Sequence, residues 1–183
     1  SLTKAELDVL INKPMPNERL SRIRDVFAFC CLTGLAFTDA DHLRPEHIGA
    51  DANGTLWIHK PREKTAIMSR IPLLPYTISL LRKYESDKTC RERGRMLPIP
   101  SNNKMNAYLK EIATICNIDK TLTTHVARHT FACLAVEYGM PIDVLAKILG
   151  HSNTNMTRHY AKFSEQLIGR EMQKIGQVFA AAN

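Results

Sequence analysis

Apolar positions recur at helical spacing along most of this chain, and one short stretch is rich in β-formers instead. Thr3-Lys4-Ala5-Glu6 is a capping box, in which a hydroxyl and a glutamate three residues on satisfy each other's backbone donors. It opens a short helix that ends before Pro14 and Pro16. A second helix runs from Arg19 to Leu32 and is stopped by Gly34. A third, short one fits Thr38 to Leu43, ended by Pro45. After the turn signal Asn53-Gly54, the segment Thr55–His59 reads as a strand and Ile67–Leu73 as its partner. The polar, basic link Lys60–Thr65 joins them into a hairpin. Helices follow at Pro75–Tyr84 and Asn102–Cys116. The most apolar helix, His125 to Tyr138, is stopped by Gly139, and the next, Pro141 to Leu149, by Gly150. A short helix covers Asn155 to Ala161. The last, Glu165 to Phe179, places Ile168, Met172, Ile175 and Phe179 on one face, either to close the domain's own core or to pack on another protomer.

The expected fold is therefore mainly α with a small antiparallel β-sheet. A chain of 183 residues with 44% hydrophobic residues buries one real core, so residues 1–183 read as one domain. Beginning directly on a helix signal suggests a domain cut from a longer protein. No run of 18 apolar residues and no signal-peptide core occur, so no membrane partner is expected. Cys30, Cys31, Cys90, Cys116 and Cys133 are an odd set without CxxC spacing, which fits buried, reduced thiols in the cytoplasm.

The net charge of +7 is uneven. Residues 1–50 carry 6 Lys/Arg and 7 Asp/Glu, residues 51–130 carry 14 and 7, and residues 131–183 carry 5 and 4. The excess sits in the middle of the chain, as a phosphate-facing surface would have it, although a solvated basic surface gives the same count.

Four side chains then stand out. In His125-Val126-Ala127-Arg128, His125 and Arg128 share one helix face. An arginine on so apolar a helix needs an anionic partner, either a phosphate held by its planar fork or an internal carboxylate. His125 and His129 have the i, i+4 spacing of metal ligands, but there is no HExxH pattern and no clear third ligand, so no metal is expected. In Leu149-Gly150-His151 the histidine follows a helix stop and is held at a fixed corner. Tyr160 closes Asn155-Met156-Thr157-Arg158-His159-Tyr160, where a lone tyrosine is ordinarily a packing residue.

Together, in this order, these residues are more specific. His125, Arg128, His151 and Tyr160, with LGH and TxxY and intervals of 26 and 9 residues, resemble the C-terminal signature of the tyrosine recombinases. Thr33-Gly34 followed by Leu35–Leu43 resembles that family's TGxRxxE(L) motif, and Glu63-Lys64-Thr65 followed by Ile71-Pro72-Leu73 its lysine hairpin. The resemblance spans Thr3 to Phe163. It implies the DNA breaking-rejoining catalytic-domain fold and a phosphotyrosine mechanism that needs no cofactor. Under it, Tyr160 is the nucleophile, Arg128 the second family arginine, and His125 and His151 the two histidines. Lys64 is the hairpin lysine and general acid, and Asp39 takes the acidic place of the first motif. His125 or Asp39 is the base or orienter for Tyr160. The implied partners are double-stranded DNA and further protomers in a synaptic tetramer. Family members usually carry an N-terminal DNA-clamping domain, which is not found in this chain, so the domain by itself is expected to bind DNA weakly.

The chain departs from the pattern at Ala36, where the first family arginine belongs. Three explanations stand: a natural variant with a substitute cation, as in similar mobile-element integrases; an engineered Arg→Ala change; or a domain that binds DNA without cutting it. Arg62 is the preferred substitute, because two residues before Lys64 on an extended strand it shares that side chain's direction; Arg44 and Arg70 are the others. The remaining rivals are a type IB topoisomerase, which shares the chemistry, and a helical interaction domain with incidental charge.

Overall fold

A computed structural model of the protein describes residues 1–160 and 165–181. The capping box forms as the sequence requires: Thr3 Oγ1 accepts from Glu6 N at 3.1 Å and Glu6 Oε1 from Thr3 N at 2.9 Å, opening α1 (Lys4–Asn12). Asn17 caps α2 (Glu18–Thr33) through Leu20 N. This helix is the centre of the domain. Its Leu20, Ile23, Val26, Phe27 and Phe29 are buried among α1, α4 (Pro75–Tyr84), α6 (Asn102–Ile115) and α7 (Thr124–Glu137). Gly34 ends α2 in the left-handed conformation, φ 79°, and a Cβ there would lie 2.6 Å from the Phe131 ring of α7. Only glycine lets the two helices meet so closely.

The short helix α3 (Phe37–Asp41) leads to a sheet of three antiparallel strands, β1 (Ile48–Ala50), β2 (Leu56–Pro61) and β3 (Met68–Pro72), in the order β1-β2-β3. Ile58 faces Ile71 and Lys60 faces Ser69, and all four are buried on one side of the sheet. The expected hairpin is present with a third strand added. Ile48-Gly49-Ala50 is too short and too poor in β-formers to announce itself. The strand also ends sooner than the sequence suggests. Pro61 is its last residue and residues 62–67 form the turn, so Arg62 and Lys64 do not share a strand face.

A further helix, α5 (Lys88–Arg93), is capped by Asp87 and buries only Cys90, which is why its polar sequence shows no apolar period. Then α8 (Ile142–Leu149) packs on β3 and on α7 and ends at Gly150. The helix expected at Asn155–Ala161 is a single 3-10 turn, Thr157–Tyr160; Ala161 lies outside the described residues. Four of the five thiols are buried and free, but Cys133 is half-buried, a correction to the expectation that all are enclosed.

The last helix, α9 (Glu165–Ala181), does not close the core. Leu167 is buried, Glu171 lies against Gly139, and the Arg170 guanidinium donates to Glu137 O and sits 5.1 Å from the Tyr138 ring. Its Ile168, Met172, Ile175 and Phe179 remain between 52% and 70% exposed, the first three lining an open groove with Val136, Met140 and Ile142. Among those residues no helix is long and apolar enough to cross a membrane.

Candidate active site

The site forms where the ends of α2 and α8 meet the start of α7. Arg128, one turn into α7, is 8% exposed. Its Nη1 donates to Gly34 O at 2.7 Å and its Nη2 to Leu149 O at 2.9 Å. Both acceptors lie at helix C-termini, whose carbonyls carry partial negative charge and favour a cation. Among the described residues no carboxylate lies within ion-pair distance of Arg128, so the internal salt bridge is not what holds it. Burial, then the nearby Arg62 charge, pull its pKa down to about 10, which still leaves it charged at neutral pH. A buried guanidinium held by neutral acceptors and by no described carboxylate can still receive an anion.

His151 is fixed from two sides. Gly150, at φ 71°, turns the chain out of α8 and His151 N donates to Ala146 O at 2.9 Å. The ring Nε2 lies 3.4 Å from Arg128 Nη2, and Nδ1 lies 2.6 Å from the buried Thr157 Oγ1. A guanidinium only donates, so Nε2 is the acceptor and Nδ1 carries the hydrogen toward Thr157. Burial first, then the charges of Arg128 and Arg62, lower the His151 pKa to about 4 and keep the ring neutral at pH 7. Arg128 thus sets the tautomer, and Thr157, the threonine of the TxxY motif, accepts the hydrogen and holds the ring.

Gly150 has a second task. A Cβ on it would lie 2.5 Å from Ser69 Oγ and 3.0 Å from Arg62 Cδ. The hairpin therefore rests directly on the end of α8. Gly150→Ala is expected to destabilise the fold by about 1–2 kcal/mol from the left-handed backbone alone, with the steric contact added. Urea unfolding measures it; unchanged stability would mean that the hairpin yields without cost.

Arg62 lies against the end of α8, its Cδ 3.0 Å from where a Cβ on Gly150 would stand. Its Nε faces Asp39 Oδ2 at 3.4 Å. Asp39, buried in α3, also accepts from Glu63 N at 2.8 Å and from Lys60 Nζ at 3.4 Å. Asp39 is therefore committed to the hairpin rather than to Tyr160. Lys64 stands exposed at the hairpin's turn. Arg44 and Arg70 are both exposed, and Arg70 pairs opposite His59 on the outer face of the sheet.

His125 is exposed at the first turn of α7 and lines a cleft of about 400 Å³ with Ala36, Phe37, Thr38, Asn102, Thr124 and Arg128. Ala36 thus opens onto the same cleft as Arg128. Tyr160, at the end of the 3-10 turn, packs against the small cluster of Ala132, Val136, Leu145 and Leu149, with its ring 5.4 Å from that of His129. His151 contacts Arg128, Arg62 lies against Gly150 beside them and is tied to Asp39, Tyr160 packs on Leu149, and His125 shares the cleft with Arg128.

Comparison with known proteins agrees with this architecture. Residues 1–166 match the model of the phage integrase family. The chain is 25% identical over 177 residues to the tyrosine recombinase XerD of Lacticaseibacillus casei, covering 91% of this chain and 59% of that protein. The XerH site-specific recombinase, in a post-cleavage complex with its palindromic difH substrate, superposes with a TM-score of 0.72 at 20% identity over 93% of this chain and 51% of that one. The catalytic domain of bacteriophage HP1 integrase superposes with a TM-score of 0.65 at 23% identity, over 94% and 92%. The chain thus spans little more than half the length of the curated relative, and almost all of the length of an isolated catalytic domain.

Proposed function

The chain belongs to the phage integrase family, and from that premise we propose that it is the catalytic domain of a tyrosine site-specific recombinase that integrates or excises a mobile element. The observation that carries this reading is the anion site: Arg128, buried, bonded to two helix-end carbonyls and unpaired with any described carboxylate. A phosphodiester is the anion that a cleft of this kind, on a chain of net charge +7, is suited to receive.

In the proposed reaction Tyr160 Oη attacks the scissile phosphorus. The bond to the 5′ oxygen breaks, a 3′-phosphotyrosine forms, and the leaving oxygen takes a proton from Lys64. The phenol's own proton goes to a base, for which His125 remains the candidate once Asp39 is committed elsewhere. Arg128 and Arg62 stabilise the negative charge on the non-bridging oxygens. Neutral His151, its hydrogen turned toward Thr157, orients Arg128. The reverse reaction with the 5′ hydroxyl of another strand exchanges partners and returns the tyrosine. The energy of the phosphodiester is conserved in the covalent bond, so the scheme needs neither cofactor nor metal. Exchange between two duplexes requires several protomers, and the exposed apolar stripe of α9 supports such an assembly with other copies of this protein. The cytoplasm is the compartment this reading proposes, in keeping with the free thiols.

Ala36 takes its meaning from Arg62. Position 36 lines the cleft into which Arg128 opens, and Arg62 reaches the end of α8 at Gly150 from the hairpin. A relocated arginine therefore supplies the second cation. The test uses the full-length protein and a nicked duplex carrying the ends of its own element, with SDS-resistant adduct as the readout. Arg62→Ala is expected to slow adduct formation by about 10²–10³-fold, the usual effect of removing one charge-stabilising donor. Ala36→Arg in that background is expected to restore it. An Arg62→Ala variant that cleaves at the original rate would overturn the assignment.

A further inference from the structure

Lys60 is a buried cation that the site described so far does not use. It lies on β2, 2% exposed, and points inward with Ile58. Its ammonium has three acceptors: Pro61 O at 2.9 Å, Glu63 Oε1 at 3.0 Å and Asp39 Oδ1 at 3.4 Å. Three acceptors match the three hydrogens of an ammonium, so no donor remains for a ligand. At that depth the side chain does not reach DNA.

We propose that Lys60 is a positioning residue for the phosphate clamp: by occupying one oxygen of Asp39, it keeps the outer nitrogens of Arg62 available for the scissile phosphate. The inference rests on the assignment of Arg62 as that clamp. A guanidinium beside a buried carboxylate ordinarily closes on it fork to fork, with two parallel hydrogen bonds. Here it does not. Arg62 meets Asp39 through Nε alone, and among the described residues its two Nη groups donate no hydrogen bond. The reason lies in the other oxygen. Asp39 Oδ1 is taken by Glu63 N at 2.8 Å and faces the Lys60 ammonium. Two cations, Lys60 and Arg62, balance two anions, Asp39 of α3 and Glu63, where α3 meets the hairpin.

Removal of the Lys60 charge upsets this balance in one direction. Asp39 is then left buried with a single cation nearby, and Glu63 loses its partner. Both carboxylates turn to Arg62, and the guanidinium rotates inward. The protein then keeps all the residues identified above and still loses its second clamp. The loss is selective for substrates whose scissile phosphate carries charge.

The experiment compares two nicked duplexes carrying the element ends, one with a natural phosphodiester at the cleavage position and one with a charge-neutral methylphosphonate. Full-length protein is used, with single-turnover adduct formation as the readout. Lys60→Met is expected to slow adduct formation by about 10²-fold on the phosphodiester, similar to Arg62→Ala. On the methylphosphonate, where one oxyanion is missing, the penalty of both variants shrinks to a few-fold. The double variant Lys60→Met/Arg62→Ala is expected to be no slower than Arg62→Ala, because both remove the same interaction. Lys60→Gln, which keeps a donor for Asp39 without the charge, gives the same pattern and serves if Lys60→Met does not fold. Equal penalties on the two substrates would reduce Lys60 to a structural role and overturn the inference, as would multiplying effects in the double variant. A defect in Arg62→Ala beside an unaffected Lys60→Met overturns the inference alone; an unaffected Arg62→Ala removes the clamp assignment and the inference with it.

Discussion

Tyr160→Phe is expected to abolish covalent protein–DNA adducts and strand exchange while leaving DNA binding and the fold in place. The substitution removes one oxygen from a ring whose carbon face packs against Ala132, Val136, Leu145 and Leu149. Phenylalanine fills the same space, and the ring contact with His129 does not depend on the hydroxyl. The phenol oxygen makes no side-chain hydrogen bond that the fold requires among the described residues, so stability is expected to change by less than about 1 kcal/mol. The chemistry has no such tolerance. Without Oη there is no atom to form the phosphoester, and the arginines are left holding a phosphate that nothing attacks. Gel shift at fixed salt and SDS-resistant adduct on the nicked duplex separate the two effects. Adducts that persist in Tyr160→Phe would place the nucleophile elsewhere.

The residues of this site differ in how far the sequence alone disclosed them, and the difference is physical. His125, Arg128, His151 and Tyr160 lie within 36 residues, on elements whose ends are marked by Gly139 and Gly150. Short-range order of that kind survives without a fold. The hairpin was legible as two strands, but where β2 ends depends on its pairing with Met68, and so did the direction of Arg62. The choice of Arg62 rested on a shared strand face with Lys64 that the turn at residues 62–67 does not have. Lys60 was invisible. A lysine next to Pro61 in a basic link reads as solvated, and only the approach of α3 from 21 residues away encloses it. Thr157 was legible as part of TxxY, but its contact was not, since that comes from a histidine six residues earlier that folds back on it. The apolar stripe of α9 was correctly read as a face, but periodicity does not say what covers a face.

Arg128 is where fold and chemistry are most tightly joined, and two substitutions there are expected to part them. Arg128→Ala leaves Gly34 O and Leu149 O without their donor in a buried corner. Each unsatisfied carbonyl costs about 1–3 kcal/mol, so this variant loses stability as well as activity and cannot by itself distinguish a structural residue from a catalytic one. Arg128→Lys is the informative change. An ammonium keeps the charge, and DNA binding and its salt dependence, which count phosphates neutralised, are expected to stay close to the original. What it lacks is the planar fork that spans two helix ends and still offers donors outward. The lysine satisfies the carbonyls or the phosphate, not both in one geometry, and cleavage is expected to fall by about 10²–10³-fold. Thermal unfolding, salt-dependent gel shift and adduct rate measured on the same preparation give three separate readings. Loss confined to the adduct rate assigns the guanidinium fork to the transition state. Full cleavage by Arg128→Lys would mean that the corner needs only a positive charge, and that the hydrogen bonds to Gly34 and Leu149 serve the meeting of α2 and α8 rather than the phosphate.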